Sequence, residues 1–329
     1  MRTPAQFITG LRHPEAFHGA GRTSDFFEGW YIKLVSADTS QRWAVIPGIF
    51  LGLGGSQTSE AFVQLLDGST GRSWYHRFPV EQFEAASDRF EVRVGDNRFS
   101  PSGVELNLPQ LKGKLDFSTP LDPWPVNLAA PGIMGWFAAV PFMECFHGVV
   151  SFGHGLTGQL EVEGKAVAFD QGRGYIEKDW GKAFPSGYVW LHSNHIDADP
   201  NASFIGSVAI IPWIGKPFRG FIAGLKHGGR LYRWTTYAGG KERILSITDD
   251  HIAWQLESPD GVLEVSADRV GGGLLHAPVR TEMHQRVDET LQATINIRHT
   301  DKAGRVLLEG TGTVGAMEVH GDLKRLLEI

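Results

Sequence analysis

A single cysteine, Cys145, occurs in 329 residues. No intramolecular disulfide can form, no thiolate zinc site of the ribbon kind exists, and the usage fits a reducing compartment. No segment reaches the ~18 uncharged apolar residues of a membrane-spanning helix. The opening Met1-Arg2-Thr3-Pro4-Ala5-Gln6 carries no apolar signal core behind its arginine. Charge is sparse at 21% of residues, and the net charge of -6 leaves no global attraction to nucleic acid or to an anionic membrane surface. The expectation is a soluble, cytoplasmic chain. Also lacking are helical periodicity, an HExxH or similar metal-ligand spacing, a GxSxG elbow and a GKS/GKT loop. These absences argue against a metal centre, serine hydrolysis and P-loop chemistry. Gly153-His154-Gly155-Leu156-Thr157-Gly158 matches GxGxxG literally, but the alternating Gln159–Gly164 that follows reads as a strand where dinucleotide binding needs a helix.

What is present is short runs of period two, bounded by Gly, Pro, Asp and Asn. They include Trp43–Gly52, Glu60–Leu66, Ser151–Phe169, Gly187–Ile196, Ser203–Ile211, Phe218–His227, Val262–Ala267, Leu291–His299 and Val306–Val314. With 41 glycines to serve tight turns, an all-β architecture follows. The chain also echoes itself. Gly29–Asp38 is answered by Tyr188–Asp197, Glu60–Leu65 by Arg219–Gly224, and Trp74-Tyr75 by Leu231–Trp234. The offset stays near ~160 residues, the mark of two copies of one antiparallel meander. Each copy is expected to close into a barrel, 1–185 and 186–329, because closure removes exposed edges and about eight strands leave room for a ligand. The Pro-rich stretch Pro120–Glu144 alternates poorly and reads either as a buried connection or as a lid over a lipophilic site.

The densest chemistry lies in Gly174-Tyr175-Ile176-Glu177-Lys178-Asp179-Trp180-Gly181. On a strand, Tyr175, Glu177 and Asp179 share one face, and Ile176, Lys178 and Trp180 the other. Two carboxylates on one face repel, and burial among aromatics helps hold one of them protonated as a general acid. The competing reading is a structural ion-pair network at the barrel junction, with Lys178 or an arginine neutralising the acids. Glu28 and Trp30 on the first strand, and Trp190, His192 and Asn194 on its counterpart, read as pocket lining or as barrel-floor plugs. Glu144 and His147 stand just ahead of a strand and are further candidates.

Phe27–Lys33, Pro141–Cys145 with His147–Ser151, and Gly172–Gly181 with Phe184-Pro185 and Ser193-Asn194-His195 together resemble the tocopherol cyclase family. The likeness covers roughly residues 20–225. It implies two tandem lipocalin-like antiparallel β-barrels and a cofactor-free closure of a prenylated hydroquinone to a chromanol. An acid protonates the alkene nearest the ring, and the phenolic oxygen captures the tertiary cation. Under that likeness Glu177 or Asp179 is the acid, with Lys178 and His192 in the catalytic group. Trp30, Tyr31, Trp180 and Trp190 form an aromatic wall, and His192 or Asn194 orients the phenol. Glu28, Tyr175, Glu144 and His147 complete the substrate-binding set. No cofactor and no metal are implied; the partner is a lipophilic small molecule, with peripheral membrane contact for its uptake left open and no nucleic acid. The plant enzymes carry a plastid-targeting extension that is not seen here, so another prenylated quinol or a polyene is equally compatible. A non-catalytic carrier of a hydrophobic ligand, and a hydratase or pericyclase of a polyene, are the alternatives.

Overall fold

The computed structural model describes residues 4–55, 58–127 and 130–329. Residues 128 and 129 of the Pro-rich stretch, like residues 1–3, lie outside the described residues. The fold is almost wholly antiparallel β. The first sheet holds β1 (Phe26–Val35), β2 (Arg42–Leu51), β3 (Glu60–Asp67), β4 (Arg72–Phe78), β5 (Phe83–Ala85), β6 (Val92–Val94), β7 (Asn97–Ser100), β8 (Gly103–Asn107), β9 (Leu111–Phe117), β10 (Cys145–Val162), β11 (Lys165–Ala168) and β12 (Gly172–Gly181). The second holds β13 (Gly187–Ser193), β14 (His195–Ile196), β15 (Ser203–Ile211), β16 (Phe218–His227), β17 (Arg230–Thr235), β18 (Lys241–Ile247), β19 (His251–Ser258), β20 (Gly261–Asp268), β21 (Gly273–Val279), β22 (Glu282–Thr300) and β23 (Val306–Gly321). Two short helices, α1 (Pro4–Arg12) and α2 (Leu323–Glu328), were not signalled by periodicity. Neither is long and apolar enough to cross a membrane.

The internal echo is visible in the strand order. The first sheet runs β4-β3-β2-β1-β12-β10-β9-β8-β7-β6-β5, and the second β17-β16-β15-β13-β23-β22-β20-β19-β18. In each, the first strand pairs with the last, β1 with β12 and β13 with β23. Period-two alternation sends every second residue inward. Trp30, Ile32 and Leu34 of β1 meet Val92, Val94, Phe99 and Leu115 from the far end of the path in one core, so the sheet curves around its own interior. Val189 and Leu191 of β13 do the same with Trp254, Leu256 and Leu263 in the second sheet. Closure by backbone pairing, expected from the sequence, is not made in either sheet: among the described residues no ladder joins β4 to β5 or β17 to β18. The interior of the first sheet is filled by Trp30, Trp43, Phe90, Phe99 and Phe169, each almost wholly buried, so any ligand space lies elsewhere.

The run Ser151–Phe169 is a hairpin and not one strand. Val162 pairs with Lys165, and the two turn residues Glu163 and Gly164 take φ of 46° and 83°. Left-handed backbone at both positions is the two-residue turn that matches strand twist. By Cα clustering the chain forms two compact units, 1–67 with 73–184 and 275–286, and 68–72 with 185–274 and 287–329. Residues 275–286 thus pack in the first unit, where Met283 joins Phe27, Phe50 and Phe62 in a cluster.

Candidate active site

Strand β12 lies between β1 and β10, with Trp30 opposite Lys178, Glu28 opposite Trp180, and Phe146 opposite Trp180 on the other side. Its two faces hold two different charge clusters. The inward face carries Lys178, fully buried, in an ion pair with the equally buried Glu28. Lys178 Nζ also donates to the Ala16 carbonyl at 2.6 Å and lies 3.2 Å from His18 Nδ1. It sits 4.4 Å from the Trp30 ring centre and 5.0 Å from that of Trp180. Glu28 accepts from the His18 backbone N–H at 2.8 Å and lies 3.0 Å from its Nδ1, while His18 Nε2 donates to Gly10 O at 3.2 Å. Burial pushes the Glu28 carboxyl up, but the Lys178 and His18 charges outweigh it and hold the pKa below the usual carboxylate range. Glu28 is therefore ionised and offers no acid proton.

The aromatic rings expected to face a substrate cation have other occupants. Lys178 covers Trp30, and Trp180 is stacked between His18 at 4.2 Å and Phe146 at 5.5 Å. On this face Lys178 pairs with Glu28 and not with Glu177 or Asp179, in the geometry of a buried ion pair.

The opposite face carries a line of polar groups. Tyr175 OH donates to Glu177 Oε2 at 2.6 Å. His147 from β10 lies between the two carboxylates: Nδ1 donates to Asp179 Oδ1 at 2.9 Å, and Nε2 stands 3.3 Å from Glu177 Oε2. That second contact is at ion-pair range without hydrogen-bond alignment, so the buried Nε2 has no hydrogen-bond partner. Burial pushes the His147 pKa down, but Glu177 and Asp179 outweigh it and push it up to about 10. An imidazolium therefore separates the two acids, where the sequence suggested bare repulsion. Burial, then Glu177, pushes the Tyr175 phenol well up, so it stays a neutral donor. Burial does the same for the Cys145 thiol, 3.9 Å from Asp179. Donor atoms of His147, Glu177 and Asp179 lie within 4.8 Å of one another, a spacing that a cation could use. An imidazole protonated at both nitrogens has no lone pair to give, so a metal would first have to displace a proton held up to about pH 10.

A cavity of about 170 Å³ touches His18 of one cluster and His147 of the other, and is lined as well by Phe146 and Trp180, by Phe7 and Leu11 of α1, and by Pro131, Met134 and Met143 of the Pro-rich stretch. That stretch covers an apolar space, as a lid would. For scale, an apolar cavity of about 150 Å³ admits benzene.

Tyr31 sits opposite Glu177 on the relay face and is buried. Glu144 is exposed, and its backbone carbonyl, not its carboxyl, is used, accepting from Lys182 N at 2.7 Å. Trp190, His192 and Asn194 belong to the second unit. There Trp190 and His192 are buried and stacked at 6.3 Å, and Asn194 Oδ1 accepts from His195 Nδ1 at 2.9 Å. Trp190 is not the counterpart of Trp30: it points away from its core, where the counterpart Val189 points in. Sequence reasoning missed His18, Arg22 and Lys182. His18 meets Lys178 across 160 residues, and no local pattern signals such a contact.

The model for the tocopherol cyclase-like family matches residues 111–321. The chain is 24% identical to a chloroplastic tocopherol cyclase of Zea mays, over 97% of this chain and 80% of that one. It is 23% identical to a probable chloroplastic tocopherol cyclase of Oryza sativa subsp. japonica, over 94% and 79%. Its fold is similar to that of CghA bound to Sch210972, with a TM-score of 0.55, 11% identity and coverage of 90% and 88%. Kievitone hydratase from Nectria haematococca gives 0.50, 12%, 91% and 90%. With a family model spanning well over half its length and the strand-rich two-sheet fold around it, the chain belongs to the tocopherol cyclase-like family.

Proposed function

We propose that the chain is a cofactor-independent enzyme that closes a prenylated hydroquinone to a chromanol. Family membership and the similarity to proteins named as a cyclase and a hydratase support an enzyme of the cyclase or hydratase type. The observation that carries the finer reading is the Tyr175-Glu177-His147-Asp179 line, whose His147 borders a ring-sized cavity.

The reaction is an isomerisation, so its proton account balances without a co-reactant. An acid gives a proton to the alkene, the tertiary cation is captured by the phenolic oxygen, and that oxygen returns its proton to the site. An imidazolium with a pKa of about 10 is too weak an acid to protonate an alkene. Its role is to hold the two carboxylates in place, Nδ1 donating to Asp179 and Nε2 standing 3.3 Å from Glu177. Delivery is assigned to Asp179, at the more open end of the pair, 28% exposed against 5% for Glu177. Tyr175 keeps Glu177 fixed, and Phe146 and Met143 keep water from the cation.

Incubation of the full chain with a prenylated hydroquinone, followed by mass spectrometry, tests this. A chromanol of unchanged mass is expected. A product heavier by one water would replace cyclisation by hydration, and binding without turnover would replace it by a carrier.

A further inference from the structure

The cavity has a charge pattern that a neutral hydroquinone does not use. Arg22 and Lys182 line it, and no aspartate or glutamate does among the described residues. The Arg22 guanidinium lies 4.8 Å over the Phe26 ring and has no carboxylate partner among the described residues. Lys182 stands 3.6 Å from Asp25, but both oxygens of Asp25 are already held by Arg280, at 2.9 and 2.7 Å. Beneath the cavity Lys178 is paired with Glu28, and His147 stands between Glu177 and Asp179. Arg22, without a carboxylate partner among the described residues, and Lys182, which shares Asp25 with Arg280, therefore border a space of about 170 Å³ with apolar walls. A planar guanidinium stacked on a ring is pre-oriented to take a carboxylate through two parallel hydrogen bonds.

We propose that this cavity binds an aromatic ring bearing a carboxylate, so that the preferred substrate is a prenylated hydroquinone whose ring carries a carboxylate. The inference rests on the reading that the cavity receives the substrate ring. Arg22 and Lys182 take the carboxylate at the solvent side, while His147 and Trp180 meet the ring within. The neutral phenol then needs no charged partner, and the chemistry at the relay is unchanged.

Calorimetric titration of the full chain with two probes of one ring each, benzoate and benzyl alcohol, tests the site without turnover. Benzoate should bind at least about tenfold more tightly. In the Arg22→Gln/Lys182→Gln variant that preference should vanish. Arg22→Gln alone, at an exposed position, should give most of the loss and serves if the double variant is insoluble. Equal affinity for the two probes, no binding of benzoate, or a preference that survives both substitutions would overturn the proposal. If the preference fails while a neutral prenylated hydroquinone is cyclised, the carboxylate falls and the reaction stands. If the preference holds while neither the neutral nor the carboxylated substrate is cyclised, the reaction falls and the site stands.

Discussion

Lys178 Nζ lies 4.4 Å from the centre of the Trp30 ring, directly across the ladder that joins β1 to β12. The ammonium is fully buried, paired with Glu28, and pinned to the Ala16 carbonyl. Removing one member of such a pair strands the other charge, at a cost of about 3–5 kcal/mol. Lys178→Met should therefore lower the urea midpoint sharply, and adding Glu28→Gln should recover part of the loss. If Lys178→Met unfolds like the parent but has lost turnover, a purely structural role for Lys178 is wrong.

Glu177→Gln and Asp179→Asn address the other face. Each keeps the shape of the side chain, and neither touches the Lys178 pair, so both proteins should fold. General acid–base groups contribute about 10²- to 10⁴-fold, and Asp179→Asn should lose a factor in that range in turnover number. Full activity in both variants would move the acid elsewhere.

The stability profile on the alkaline side should report His147. Its pKa is raised from 6.5 unfolded to about 10 folded, so the folded state binds the extra proton between those values. The stabilisation is complete below pH 6.5 and is lost as pH rises through about 10. Thermal unfolding should show a falling Tm over that window, and His147→Gln should flatten it.

On the acid side the sign reverses. Burial, with Arg173 nearby, lowers His154 from 6.5 to about 3, so the unfolded chain binds the proton more readily. Stability should fall as pH drops from 6.5 towards 3. Replacing His154 with Gln should shrink this limb, to which His227, His276 and His299, also lowered by burial, contribute, and leave the His147 limb in place, as independent groups would.

Residues 275–286 make a prediction about truncation. Met283 packs with Phe27, Phe50 and Phe62, and Gln64 holds the His276 backbone through bonds of 2.6 and 3.2 Å. We propose 1–185 and 186–329 as the two domains by descent, yet a protein ending at residue 185 lacks this hairpin and should be poorly soluble. Met283→Ala in the full chain should cost about 2–5 kcal/mol. A soluble 1–185 fragment with the urea midpoint of the full chain would show the hairpin to be dispensable.

Much of this was legible because strands carry their information in alternation. Ser203–Ile211 and Phe218–His227 are strands to the residue. The split of Glu177 and Asp179 from Lys178 follows from period two alone. Alternation cannot say which face is inside, and only the core around Trp30 and Ile176 settles that Lys178 points inward. His18 was invisible, because its loop position has no period and its partners are distant in sequence. The His147 bridge was missed for a related reason: β10 and β12 meet in register only once the sheet is formed.

The inward charge on β12 also acts as a ruler. Sliding the strand by one residue would turn Lys178 out of its socket and drive Glu177 or Asp179 into the apolar interior. Every misaligned pairing is thereby penalised by an unpaired ion in the core. The groups on the opposite face inherit their spacing to His147 from that penalty, so a buried ion pair sets the alignment on which the proposed chemistry depends.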